Sequence, residues 1–140
     1  LIKLIFPHAK IINMQRASLD LAVSIYFENF SQHFAYTNDL DDIFHVYNEY
    51  QRMMSHWCGL FGKDILNVNY QDVVENYGQE VDRIGRFIEA EMPGVDEIRK
   101  SVNHVETPSV WQVRQPINTN AVNRWQRYQQ FLTPYIQSYQ

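Results

Sequence analysis

Arg16 closes the apolar run Lys10-Ile11-Ile12-Asn13-Met14, and two residues later Ser18 opens a helical pattern of apolar steps. The run has the length and β-branched content of a strand buried on both faces, which puts Arg16 at the strand's carboxyl end and Ser18 at the N-cap of the helix. In open α/β sheets that edge faces helix N-termini with unpaired N–H groups, and phosphorylated ligands bind there. A guanidinium at such an edge grips a phosphate through two parallel hydrogen bonds. The structural alternative is an arginine that caps the strand or pairs with Asp20. Ser24 lies ~140° round the helix from Leu19, off the apolar stripe, so its hydroxyl either meets a ligand or faces solvent. Tyr70 ends a second strand-like run as Arg16 ends the first.

Other chemistries lack their residues. The glycines at 59, 62, 78, 85 and 94 are scattered, and none is followed by the Lys-Ser/Thr of a phosphate loop. His45 and His56 share a helix face but stand ~16 Å apart, too far for one metal. His104 and Glu106 read as an ordinary loop pair. Cys58 is the single cysteine, which excludes an intrachain disulfide and a thiolate cluster and leaves the redox compartment open. His56 faces away from it on a helix, so a cysteine nucleophile has no base. These residues display no catalytic constellation.

The elements that would position Arg16, Ser24 and Tyr70 are legible from periodicity. Leu19, Ala22, Val23, Tyr26, Phe27, Phe30 and Phe34 recur at three- and four-residue steps, which predicts one amphipathic helix through them. Thr37-Asn38-Asp39 offers caps for a longer helix with Leu40, Ile43, Phe44, Tyr47, Tyr50, Met54, Trp57 and Phe61 as its core stripe, ended by Gly59 and Gly62. Ile65 to Tyr70 then reads as a second strand, parallel to the first because a helical crossover separates them. A helix follows from Gly78 to Met92, stopped by Pro93-Gly94, with a short helical piece over Val95 to Val102. Glu106 to Asn118 lacks periodicity and reads as an ordered loop; Asn118 or Thr119 then caps a helix carrying Val122, Trp125 and Tyr128, and an apolar segment from Phe131 to Ile136 closes the chain. The fold class is α/β and mostly helical, with two short parallel strands of a larger sheet.

At 140 residues, with 45% hydrophobic content and 20 aromatic side chains, the chain holds enough apolar matter for the core of one domain. No apolar run approaches the ~20 residues of a spanning helix and no signal-peptide pattern occurs, so no membrane is expected and a cytoplasmic location is. Net charge is −4, which disfavours nonspecific nucleic-acid binding. The charge is uneven: residues 1–98 sum to −8, whereas residues 99–140 carry Arg99, Lys100, Arg114, Arg124 and Arg127 against Glu106 alone, for +4. A basic segment on an acidic body reads as an anion site or an interface with an acidic partner. The chain opens on Leu1 just upstream of a strand that wants neighbours on both sides, so a piece of a longer protein that self-associates is expected.

Three segments together resemble a known family. The first is FPHAKIINMQR with its following helix, the second Val68-Asn69-Tyr70-Gln71-Asp72-Val73-Val74, and the third Ser109-Val110-Trp111-Gln112-Val113-Arg114-Gln115-Pro116-Ile117 with Arg124-Trp125 after it. In this order, from about Leu4 to Tyr139, the chain resembles the C-terminal half of a sulfotransferase. It looks most like the bacterial enzymes with tetratricopeptide repeats, which are similar to tyrosylprotein sulfotransferases. The resemblance implies a sheet related to that of P-loop proteins. It also implies binding of 3′-phosphoadenosine 5′-phosphosulfate (PAPS, or its product PAP), with sulfuryl transfer to a hydroxyl-bearing acceptor. Arg16 and Ser24 match the family's pair at the nucleotide 3′-phosphate, and Tyr70 a tyrosine at the nucleotide. The segment holding Ser109, Gln112, Val113, Arg114 and Asn118 matches the loop that folds over it, and Arg124 a basic ligand residue of the tyrosylprotein enzymes. The chain departs from the family pattern in three ways. Ala17-Ser18-Leu19-Asp20 keeps only the last residue of the family's Asp-Pro-Arg-Asp, and Glu28 stands where the tyrosylprotein enzymes carry a further arginine. The family's phosphosulfate loop and catalytic base precede the segment matched by Leu4. A non-catalytic interaction module of the same descent is the alternative.

Overall fold

The structure, a computed structural model, describes residues 1–28, 30, 32–94 and 119–139. The predicted helical piece at 95–102, the loop at 106–118 and the site residues Ser109, Gln112, Val113, Arg114 and Asn118 lie outside the described residues. The first element is a short helix, α1 (Ile2–Ile5), held to the body where Lys3 pairs with Asp64 at 2.8 Å. Strand β1 (Ile11–Gln15) follows and pairs in parallel with β2 (Ile65–Asn69), in the register Ile11 to Ile65 and Gln15 to Asn69. The described chain is otherwise mostly helical.

Between the strands run α2 (Ser18–Phe27), a 3₁₀ segment (Gln32–Asn38) and the 22-residue α3 (Leu40–Phe61). Asp39 caps α3 by accepting from the N–H groups of Asp41 and Asp42, as its position before an acidic first turn predicts. The single long helix expected through Phe34 is broken. Glu28 turns extended, and Thr37, almost wholly buried, donates to the Phe34 carbonyl at 2.8 Å and holds the 3₁₀ segment instead. Phe27 meets Tyr128 at 4.9 Å between ring centroids, so α2 ends where its apolar side reaches the C-terminal segment.

After β2 come α4 (Tyr70–Glu75) and α5 (Tyr77–Ile88). The helix expected to reach Met92 stops four residues short because Glu89 adopts the left-handed conformation (φ 59°), a C-terminal position that favours glycine or asparagine. Met92 folds back on Gly85 instead, where a Cβ would stand 2.9 Å from the Met92 Cγ and 2.8 Å from the Ala90 carbonyl oxygen. The chain closes with a 3₁₀ turn (Arg124–Tyr128) running into α6 (Gln129–Tyr139). The helix expected from Thr119 therefore begins late.

The core joins Leu19, Ala22 and Val23 of α2, Ile43 and Phe44 of α3, Trp125, and Leu132 of α6. The Phe44 ring stacks on both Tyr135 (4.5 Å) and Tyr139 (4.3 Å), which fastens α6 across α3. Ser18 is the first residue of α2 and not its cap. Its hydroxyl donates to the Tyr139 carbonyl at 2.5 Å, a partner 121 residues away.

Burial of β1 on both faces does not hold. One face carries Asn13, whose amide donates to Asn67 at 2.8 Å and whose oxygen accepts from the Tyr50 hydroxyl of α3 at 2.6 Å. The other face is covered over β2, where Val68 is wholly buried and α5 packs, but Ile12 and Met14 on β1 are 39% and 52% exposed. Period-two alternation splits the apolar run between a helix-covered side and an open one. Among the described residues no helix is long and apolar enough to cross a membrane.

Candidate functional site

Parallel pairing in register brings the two strand ends side by side. Gln15 stands opposite Asn69, so the next residues, Arg16 and Tyr70, leave the same edge of the sheet as neighbours. The Arg16 guanidinium carbon lies over the Tyr70 ring, 5.3 Å from its centroid. Tyr70 is the first residue of α4 and not the last of β2; Asn69 caps that helix by accepting from the Gln71 N–H at 2.9 Å. The strand's polar end thus turns the aromatic ring towards the arginine.

A third element reaches this edge from the far end of the chain. Arg16 Nη2 donates to the Ala121 carbonyl at 2.7 Å. Its Nε is buried and has no hydrogen-bond partner among the described residues. A buried guanidinium nitrogen without an acceptor is costly, and an anion's oxygen is one acceptor that would satisfy it. Arg16 does not pair with Asp20. Both Asp20 oxygens accept backbone N–H groups, from Asn123 at 2.6 Å and from Trp125 at 2.9 Å.

Along α2, Asp20, Ser24 and Phe27 occupy successive turns of one face. The segment 121–128 lies along that face: Arg16 holds Ala121, Asp20 holds Asn123 and Trp125, and the Arg124 guanidinium carbon sits 5.7 Å from the Phe27 ring centroid. Ser24 is half-buried on the same face. The structure therefore brings Arg16 to Tyr70 directly and sets Arg124 on the face that carries Ser24; among the described residues no hydrogen bond joins Arg16 to Ser24. A cavity of about 430 Å³ opens beyond Phe27, lined by Val23, Tyr26, Leu40, Tyr128, Phe131 and Leu132. Its lining is apolar or aromatic, so an anion is better served by the arginines.

Sequence reasoning missed the Ala121 carbonyl, and the pairing with Asp20 that it held as the structural alternative for Arg16 does not form. A signal existed for Asp20: it is the lone charged residue in the stretch Ser18–Tyr26, and a carboxylate there has to find donors. Nothing local in the sequence says that those donors come from residues 123 and 125. Among the described residues no group of three His, Cys, Asp or Glu side chains could hold a metal ion.

Comparison with known proteins adds two findings. The profile of the Sulfotransferase family matches residues 1–94, which include Arg16, Ser24 and Tyr70. An uncharacterized protein of Aquifex aeolicus (strain VF5) is 37% identical over 143 residues, a match that covers 98% of this chain. The chain spans 18% of the length of that relative. No solved structure matches the chain.

Proposed function

The chain belongs to the sulfotransferase family, and from that premise we propose that it is the nucleotide-gripping part of a PAPS-dependent sulfotransferase. The observation that carries this reading is Arg16. It stands at the carboxyl edge of a parallel sheet, backed by the Tyr70 ring, pinned through one nitrogen to Ala121, and with its buried Nε unpaired among the described residues. Such an arginine is pre-oriented for an anion, because its position is set before the ligand arrives. Arg16 would hold the 3′-phosphate with the Ser24 hydroxyl as a second donor, Tyr70 would border the nucleotide, and Arg124 would add positive charge on the same side. The nucleotide, when bound, supplies the activated sulfuryl group. By the family resemblance, the base for the acceptor hydroxyl and the phosphosulfate loop belong to sequence preceding the segment matched by Leu4, and the acceptor carries a hydroxyl.

Titration calorimetry of PAP and of AMP, which lacks the 3′-phosphate, tests the reading. A charge-assisted hydrogen bond is worth roughly 1.5–3 kcal/mol, so PAP is expected to bind about ten- to a hundredfold more tightly than AMP. Equal affinity for the two would overturn the assignment of Arg16 and Ser24 to the 3′-phosphate. The second reading, a non-catalytic interaction module, is favoured by one observation: Leu1, Leu4, Ile12 and Met14 are exposed around β1. Absence of nucleotide binding would leave that reading standing.

A further inference from the structure

We infer that Asp20 is the positioning residue of this site: its buried carboxylate fixes the 121–125 turn, and through that turn it sets where Arg16 and Arg124 stand. The inference rests on the nucleotide reading above and adds a residue that need not touch the ligand. Asp20 is 3% exposed, and each of its oxygens takes one backbone N–H of the turn, from Asn123 and Trp125. Asn123 sits in the left-handed region (φ 56°), which asparagine adopts more readily than other non-glycine residues, so the turn needs only a modest hold to keep this shape. The carboxylate provides that hold by accepting from the Asn123 N–H itself.

What the turn presents is specific. Ala121, two residues before Asn123, offers the carbonyl that restrains Arg16 Nη2, and Arg124, one residue after, is carried over Phe27. Asp20 lies one turn before Ser24 on α2, so a single side chain ties the C-terminal segment to the helix face that carries the hydroxyl. Replacing the carboxylate leaves both N–H groups without their acceptor and loosens the turn that holds the Ala121 carbonyl against Arg16. A guanidinium released this way samples more orientations, and binding through it has to order them again.

The test compares PAP and AMP binding by calorimetry in the full-length protein as wild type, Asp20→Ala and Asp20→Asn, with amide hydrogen exchange read at Asn123 and Trp125. Loss of stability alone would weaken both nucleotides alike, whereas mispositioned arginines weaken mainly the one with the 3′-phosphate. Asp20→Ala is expected to lower PAP affinity about tenfold and AMP affinity less than about twofold, with faster exchange at both amides. Asp20→Asn keeps one acceptor oxygen in place and is expected to fall between, and it carries the test if the alanine variant does not fold. Equal loss for PAP and AMP, or unchanged PAP affinity with faster amide exchange, overturns the inference. If wild type binds neither nucleotide, the nucleotide reading falls. The tether to the turn is then judged by exchange alone, upheld by faster exchange at Asn123 and Trp125 and refuted by none.

Discussion

Replacing Arg16 by alanine separates a ligand-gripping arginine from a structural one, because the two predict different stabilities without ligand. The substitution removes the bond to the Ala121 carbonyl, worth about 1.5–3 kcal/mol for a charged donor. It also removes the contact with the Tyr70 ring, worth about 0.5–1 kcal/mol at a partly exposed site. Against these it removes a buried Nε without a partner among the described residues, a relief of about 1–3 kcal/mol. The terms largely offset each other, so Arg16→Ala is expected to destabilise the ligand-free protein by only about 1 kcal/mol. Binding is affected far more. At a PAP concentration 100 times the wild-type Kd, the ligand adds about 2.7 kcal/mol of stability. With affinity weakened ten- to a hundredfold, the same concentration adds only about 1.4 to 0.4 kcal/mol. Urea denaturation of both proteins, with and without PAP, reads all four quantities. If Arg16→Ala costs more than about 3 kcal/mol without ligand yet keeps the full stabilisation by PAP, Arg16 is a strand-end strut and the reasoning is wrong.

Two further outcomes are expected. The Tyr135 hydroxyl donates to Asp41 at 2.5 Å, and that carboxylate pushes its pKa up from 10.0 to about 12. A raised folded-state pKa gives stability that is complete below the unfolded value and lost as pH climbs through the folded one, so stability should fall between about pH 10 and 12. In thermal melts across that window Tyr135→Phe should show a shallower decline than wild type, and identical slopes would refute the coupling. Ile12 and Met14 leave the outer part of a parallel sheet open, which motivates self-association of the isolated chain. Light scattering across a concentration series should show growth in apparent mass that Met14→Glu suppresses, and a wild-type monomer at every concentration would count against it.

The long helix α3, both strands and their parallel pairing were legible in the sequence because each is encoded locally. An apolar pattern at three- and four-residue steps sustained over 22 residues, an acidic first turn after Asp39, runs with β-branched residues at 11–15 and 65–69, and a crossover too long for a hairpin need no distant partner. The placing of Arg16 at a strand's carboxyl end was legible for the same reason. Tertiary structure alone decided the rest. Where α2 ends depends on Phe27 meeting Tyr128 and on Thr37 holding a 3₁₀ turn, and the apolar spacing from Leu19 to Phe34 suits a broken helix as well as a whole one. Ser18 looks like a cap until the Tyr139 carbonyl, 121 residues on, takes its hydroxyl. The same is true of the candidate site. The residue types and their order were visible, but the acceptor that orients Arg16 and the donors that satisfy Asp20 are backbone groups of residues 121, 123 and 125. Every residue but proline carries both such groups whatever its side chain, so their use leaves no mark in the sequence, and only the packing of α6 across α2 and α3 brings them to the sheet edge.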